Sequence, residues 1–378
     1  MDTKAFIKTF MNKMQNIQEK ILDYLNEEES QESQLFEFFN EQKLRDNKHD
    51  FKIFLHFISK ISQNTCQTSY LFPKIFGILK FFQEDITKYF SNNEIFNIFK
   101  SSKRILLFLF ENKIITMNEF ISHVMKSKKY KNRYYIEFFY PEIKPFISEA
   151  ISSSIISEHP EILTIEEFDK LRKTGQNSYY VCELIRNDSI DEFIKYVNRK
   201  NLSLNMKISP TIYETNNFLL DNDCSFIQYS AFFGSIQIFK YLYLNNVEVD
   251  STIWLYEIHG KNAELIHFLE ENKIEPPNND DKYYDVYNLC CIESIKCHHN
   301  DFMNYIKNNL FKKITNEANL FPKSLKNYNF IDICNNDYIN DDQITFISID
   351  FIRYDYYEIV DFLIKNNKIN IKSNMILY

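Results

Sequence analysis

Residues 231–248 read AFFGSIQIFKYLYLNNVE, and residues 258–275 read IHGKNAELIHFLEENKIE. Setting Gly234 against Lys261, a shift of 27 residues, aligns Ile238 with Leu265, Phe239 with Ile266, Tyr241 with Phe268 and Leu242 with Leu269. Asn245 then falls on Asn272, and Val247 on Ile274. Self-similarity near this period marks stacked helix pairs, whose units bury their apolar faces only against neighbours. It points to surface recognition more than to chemistry.

Counted from Gly234, the second helix of the unit carries apolar residues at +4, +5, +7 and +8, which paint one helical face. The same spacing recurs at Phe193, Ile194, Tyr196 and Val197, at Phe302, Met303, Tyr305 and Ile306, and at Ile359, Val360, Phe362 and Leu363. Phe330, Ile331, Ile333 and Cys334 give a weaker copy. At +11, Asn309 and Asn366 match Asn245 and Asn272, and Asn tolerates the left-handed conformation that ends helices. Ile105, Leu106, Phe108, Leu109 and Asn112 echo the template further upstream. For residues 1–150 two readings stay open, divergent repeats or a plain helical region. Residues 151–378 read as a degenerate array with units centred near 180–200, 225–248, 252–275, 289–309, 317–337 and 346–367.

Composition agrees with an all-α chain. Only 4 Gly and 8 Pro occur in 378 residues, so tight turns and hairpins must be few. Apolar residues make up 44% and charged ones 25%, which is globular. Helix starts are expected from three capping-box patterns, Ser91 with Glu94, Thr116 with Glu119 and Thr164 with Glu167. The seven cysteines lack paired spacing and suit a reducing compartment. No signal-peptide core is visible in MDTKAFIKTF, and the most apolar run, Ile105–Phe110, is far short of the roughly 20 residues that span a bilayer. A soluble, cytoplasmic protein is the expectation.

The wording of the repeats adds a resemblance. GSIQIFKYLYLNNVE resembles the second helix of an ankyrin repeat and its following turn, G-x-x-E-I-V-K-x-L-L-x-x-G-A-D. RKTGQNSYYVCELIRNDSIDEFIKYV (172–197), PTIYETNNFLL (210–220), IHGKNAELIHFLEENKIEP, CHHNDFMNYI (297–306) and SLKNYNF (324–330) resemble a large ankyrin-like family, expanded in trichomonad protozoa, that carries a domain of unknown function. The resemblance implies a helical array with a protein partner bound on its concave face. In the ankyrin register the positions two and six before the Gly234 equivalent are Phe232 and Gln228, His259 and Leu255, Lys296 and Ile292, with Arg353 in the last unit. Gln228, Phe232, Leu255, His259, Lys296 and Arg353 are therefore the candidate partner-binding residues. Ser225-Phe-Ile-Gln and Thr252-Ile-Trp-Leu replace the usual T-P-L-H, and the short period implies reduced fingers.

No catalytic residue, cofactor or metal is implied. Gly77, Gly175, Gly234 and Gly260 are isolated, so no phosphate-cradling loop exists in the usual form. Cys290, Cys291, Cys297, His298 and His299 hold zinc-ligand types, but helical geometry would place Cys291 and His298 roughly 10 Å apart. A remote alternative is a hydrolase using that cluster. Another is a nucleic-acid or nuclear-transport module using residues 100–133, where nine Lys or Arg face Glu111 and Glu119. Within it, Lys126–Arg133 reads as a solvated helix end, a nuclear-localisation signal or a patch for an acidic partner. The net charge of −8 argues against general nucleic-acid binding.

Overall fold

The computed structural model describes residues 2–29, 31–65, 68–131, 133–274, 287–310, 320–335 and 341–368, and over them the chain is mostly helical. Parts of the expectations fall outside these residues: Glu275 and Pro276 of the doubled segment, Asn132 of the basic run, and 317–319 with 336–337 of the fifth predicted unit. The strands among the described residues are a short antiparallel ribbon, with Lys207 opposite Ser225 and Ile208 opposite Cys224. Two compact units divide the chain. One comprises Met1–Ile61, Gln67–Asp85 and Asn279–Tyr378, the other Ser62–Cys66 and Ile86–Asn278.

The second of these units contains three helix pairs: Tyr180–Arg186 with Ile190–Lys200, Phe226–Phe232 with Ile236–Leu244, and Ile253–Gly260 with Ala263–Glu271. The first contains Tyr287–Cys297 with Asn300–Tyr305, Phe321–Asn327 with Phe330–Asn335, and Asp341–Arg353 with Tyr357–Lys365. Each pair turns on one residue of positive φ: Asp188 (48°), Gly234 (66°), Lys261 (51°), His298 (57°), Tyr328 (54°) or Asp355 (64°). The next N–H then reaches back to the last turn of the first helix, as in a Schellman closure. Ser189 bonds Leu184 O, Ser235 bonds Ser230 O, His299 bonds Ser294 O, Asn329 bonds Ser324 O and Tyr356 bonds Phe351 O, all within 2.8–3.0 Å. In the Lys261 pair the Asn262 N–H goes instead to the Glu257 side chain at 2.9 Å. Five of these six turn residues are not Gly, so each such turn carries roughly 1–2 kcal/mol of left-handed strain that packing must offset.

The turns correct the sequence register in two pairs. The helix after Asp188 begins two residues later, as in the other pairs, yet buries Phe193 and Val197, so its apolar face is rotated by about one residue. In the Tyr328 pair the helix starts at Phe330 itself, two residues earlier in the template than expected. The asparagines at +11 also act differently from the expectation. Asn245, Asn272 and Asn366 keep negative φ, and the left-handed residue is the next one, Asn246, Lys273 or Asn367. Each Asn works through its amide, which donates to the carbonyl four residues back (Tyr241, Phe268 and Phe362, each 2.8 Å). Asn309 does the same to Tyr305 at 3.1 Å. Upstream, Asn112 bonds Phe108 O at 2.8 Å and Lys113 is left-handed, so the echo reproduces the end of the unit.

Close stacking within each unit rests on small residues and buried rings. In the second unit the first helices lie side by side in chain order, and so do Ile190–Lys200 and Ile236–Leu244. Phe239 meets Phe268 edge-on at 5.8 Å. Asn262 Nδ2 donates to Gly234 O at 2.8 Å, where Gly234 and Gly260 let the two backbones approach. In the first unit the helices Tyr287–Cys297, Phe321–Asn327 and Asp341–Arg353 follow the same order. Two of their second helices, Phe330–Asn335 and Tyr357–Lys365, are covered by Thr3–Asn26. Phe6 stacks on Phe362 at 3.9 Å. Buried Gln18 accepts the N–H groups of Phe330 (2.6 Å) and Ile331 (3.1 Å), so a residue of the N-terminal helix caps a helix near the other end of the chain.

Among the expected caps, Ser91 with Glu94 forms a full capping box. Thr116 does not cap: the helix begins at Glu119, and Asn118 accepts from Ile121 N–H at 2.9 Å. Thr164 precedes its helix without a side-chain cap bond. A further box occurs at Ser225 with Gln228.

Candidate recognition surface

The six candidate residues fall into different environments. Gln228 is half-buried; its Oε1 completes the Ser225 box, and its Nε2 donates to Thr252 at 3.2 Å. Leu255 is half-buried on the next first helix. Phe232 and His259 are each only 1% exposed, and their rings stack at 4.6 Å, with Phe218 a further 4.5 Å from His259. They hold neighbouring pairs together and offer a partner no surface. Their burial follows from the close approach of their helices, which puts two positions expected at the surface into the seam. Lys296 and Arg353 belong to the other unit, where each makes a local ion pair, Lys296 with Glu293 (2.7 Å) and Arg353 with Asp350 (3.3 Å).

Sequence reading passed over two tyrosines. Tyr179 and Tyr180, at the start of a first helix, are 51% and 47% exposed. Tyr180 meets Tyr196 edge-on at 5.1 Å, and the Arg199 guanidinium lies 5.8 Å from the Tyr196 ring. Tyrosine and arginine dominate binding hot spots because they present large, rigid, amphipathic area. The signal was the Tyr-Tyr doublet, standing just ahead of the buried face made by Val181, Cys182, Leu184 and Ile185.

The Cys–His cluster serves the core of the first unit. Cys290, Cys291 and Cys297 are buried, and these five Cys and His residues do not by themselves bring three ligand atoms together. Burial pushes the Cys290 thiol up to about 12, far from a thiolate nucleophile. His298 Nδ1 lies 2.9 Å from Gln18 Nε2, which donates to it, and the imidazole meets Phe57 edge-on at 5.2 Å. In the second unit, His267 pairs with Glu271 at 3.1 Å, on a different helix from His259. Trp254 is 1% exposed and its indole N–H donates to Ile274 O at 2.8 Å, so it is a core residue.

Among the described side chains of the basic segment 100–133, two cations are engaged within the fold. Arg133 is engaged by Asp221 and by Asn217 (2.8 Å). Lys103 is buried, donates to Glu214 O at 2.8 Å, and lies 5.6 Å from the Tyr135 ring and 5.2 Å from that of Phe138. Desolvation lowers its pKa to about 7, against the opposing pull of Glu214 and Glu137. The Glu214 carboxylate is itself buried. It accepts the N–H groups of Thr215 and Asn216 (2.8 Å each) and of Asn177 (3.2 Å). Its pKa is raised by burial, and the Asn216 and Thr215 backbone bonds and Lys103 work against the shift. This network locks the loop spelled PTIYETNNFLL onto the start of the Tyr180 helix. Lys113, Lys126 and Lys128 remain exposed.

Among the described residues no helix is long and apolar enough to cross a membrane. No family model matches the chain, and neither a curated protein nor a solved structure matches it.

Proposed function

We propose that this chain is a non-catalytic protein-interaction scaffold built from ankyrin-like helix pairs, with a partner protein held by side chains on the first helices. One observation carries the reading: among the described residues the same unit, a helix pair turning on a left-handed residue, occurs three times in each compact unit. A unit that packs mainly on its own copies presents equivalent positions at regular intervals, which is how repeat stacks build recognition surfaces. Tyr179, Tyr180, Gln228 and Leu255 in one unit, and Lys296 and Arg353 in the other, supply the aromatic, amide and cationic groups such surfaces use. Phe232 and His259 are buried on the same helices as Gln228 and Leu255.

Proximity labelling of the full chain in its own cell tests this. The wild type is compared with a variant carrying Tyr180→Ala, Leu255→Ala, Lys296→Ala and Arg353→Ala. The variant should keep its helical spectrum and lose a defined set of neighbours. Matching neighbour sets would remove the proposed face.

A further inference from the structure

We propose that Asp50 and Glu358 share one proton, and that this carboxyl pair is a pH-sensitive latch on the helix Tyr357–Lys365 in the unit containing Asn279–Tyr378. Asp50 lies in the first turn of the helix Lys48–Asn64 and is 0% exposed. Its Oδ2 takes the Lys13 ammonium at 2.5 Å, whereas its buried Oδ1 has no hydrogen-bond donor among the described residues. Buried polar oxygens are nearly always partnered, so this one marks an acceptor that a proton would complete. Glu358, half-buried in the first turn of Tyr357–Lys365, lies within hydrogen-bonding reach of Asp50 and opens the pair to solvent protons. Asn47 joins the two residues: its Oδ1 accepts the Asp50 N–H at 3.3 Å, and its Nδ2 donates to Glu358 Oε1. Two carboxyls held in contact strongly disfavour ionising together.

The surrounding charges set the sign of the pH response. Thr3–Asn26 contributes Lys13, and Lys48–Asn64 contributes Lys48, His49, Lys52 and His56 beside Asp50. Lys52 and His56 pair with Asp355, at 2.8 and 3.1 Å, and His49 meets the Tyr357 ring at 5.4 Å. With both carboxyls ionised, two negative charges would face the Lys13 ammonium, one of them fully buried. A helix start ordinarily favours an ionised glutamate. Here desolvation raises the Glu358 pKa and the Asp50 charge adds to it, while Asn47 and Lys13 pull the other way. The folded chain therefore keeps this proton above the ordinary carboxylate range, where the unfolded chain has lost it. The latch is closed at low pH and weakens as pH rises through the Glu358 pKa. His56, whose pKa burial lowers, acts with the opposite sign. A divalent cation fits the pair less well, because it seeks about six oxygens and Lys13 already holds Oδ2.

The test uses the full chain carrying ¹³C at its glutamate carboxyl carbons, with the Glu358 resonance assigned by its loss in Glu358→Gln. Glu358 should titrate above the ordinary carboxylate range, and Asp50→Asn should return it towards that range. Lys13→Gln, at a part-exposed side chain, should raise the midpoint further, which keeps the test open if Asp50→Asn does not fold. Hydrogen-exchange protection of residues 357–365 should fall at least about threefold between about pH 5 and 7.5 in the wild type. The fall should be absent in Glu358→Gln, which keeps His56 and so cancels its contribution. A Glu358 midpoint in the ordinary range, a midpoint unmoved by Lys13→Gln, or an equal fall in both chains would each overturn the proposal. So would a Glu358 resonance displaced by calcium or magnesium ions at constant pH.

Discussion

Replacing Gly260 by Ala tests whether neighbouring helix pairs meet as closely as described. Gly260 ends its helix directly beneath the Gly234 turn. A Cβ there would lie far inside van der Waals contact with the Ala231 carbonyl oxygen, 3.1 Å from Gly234 N and 3.4 Å from Glu257 Oε2. The obstacle is backbone on the facing pair, which no rotamer change can relieve. The pairs must separate, at an overpacking cost of about 1–3 kcal/mol. Separation also stretches the 2.8 Å bond from Asn262 to Gly234 O, worth about 1 kcal/mol more. The helix-propensity gain of Ala, about 1 kcal/mol in a helix interior, is smaller at a last residue. A net loss of about 2–3 kcal/mol is expected. Urea unfolding followed by Trp254 emission reads it, since this sole Trp is buried on the same helix. Gly77→Ala is the control. Its Cβ would meet only the side chain of exposed Glu32, which can swing away, so helix propensity should make it neutral or stabilising when followed by far-UV circular dichroism. A Gly260→Ala change of less than about 0.5 kcal/mol would refute the close approach.

Three further substitutions probe buried polar groups. With the folded pKa of Lys103 lowered to about 7, the folded state holds fewer protons than the unfolded chain above that pH, so stability should rise with pH between 7 and about 8.5, by at most about 1.4 kcal/mol per unit. Lys103→Met should flatten this rise in urea titrations, and parallel slopes would dismiss it; higher pH is avoided because buried thiols such as Cys182, raised to about 12, oppose the trend there. Glu257 is buried with its pKa raised by desolvation, so its contribution is present at low pH and lost as pH climbs out of the ordinary carboxylate range. Glu257→Gln keeps the acceptor for Asn262 N–H and should raise the melting temperature at pH 7 but not at pH 4; equal gains at both would exclude ionisation as the cause. Gln18→Ala leaves the buried N–H of Phe330 and the part-buried N–H of Ile331 without their acceptor and should cost about 2–4 kcal/mol, with faster hydrogen exchange confined at first to residues 328–335; unchanged exchange there would refute the cap.

The sequence was most legible where its periodicity is local. The face carried by Ile238, Phe239 and Leu242 recurs as Ile359, Val360 and Leu363, because each second helix solves the same packing problem against its own neighbours. Turn chemistry was half legible. Gly234 announces a left-handed residue, but Asp188, Lys261, His298, Tyr328 and Asp355 hold the same conformation under a side chain, and no propensity marks them. At those positions the reach-back bonds and the packing on both sides outweigh the local preference. That explains why the +11 asparagines looked like left-handed caps, when their amides in fact bond the preceding turn. Contacts across long stretches of chain were not legible at all. Gln18 reads as an ordinary polar residue on an amphipathic helix, and only the fold shows its amide capping Phe330–Asn335. The buried pair of Lys103 and the Glu214 loop is the same kind of case. In the basic segment it turned a lysine that reads as surface charge into a core residue. Charge clustering in a sequence therefore measures a surface only after burial and pairing have been subtracted. Among the described side chains of residues 100–133, that subtraction leaves Lys113, Lys126 and Lys128 as exposed cations.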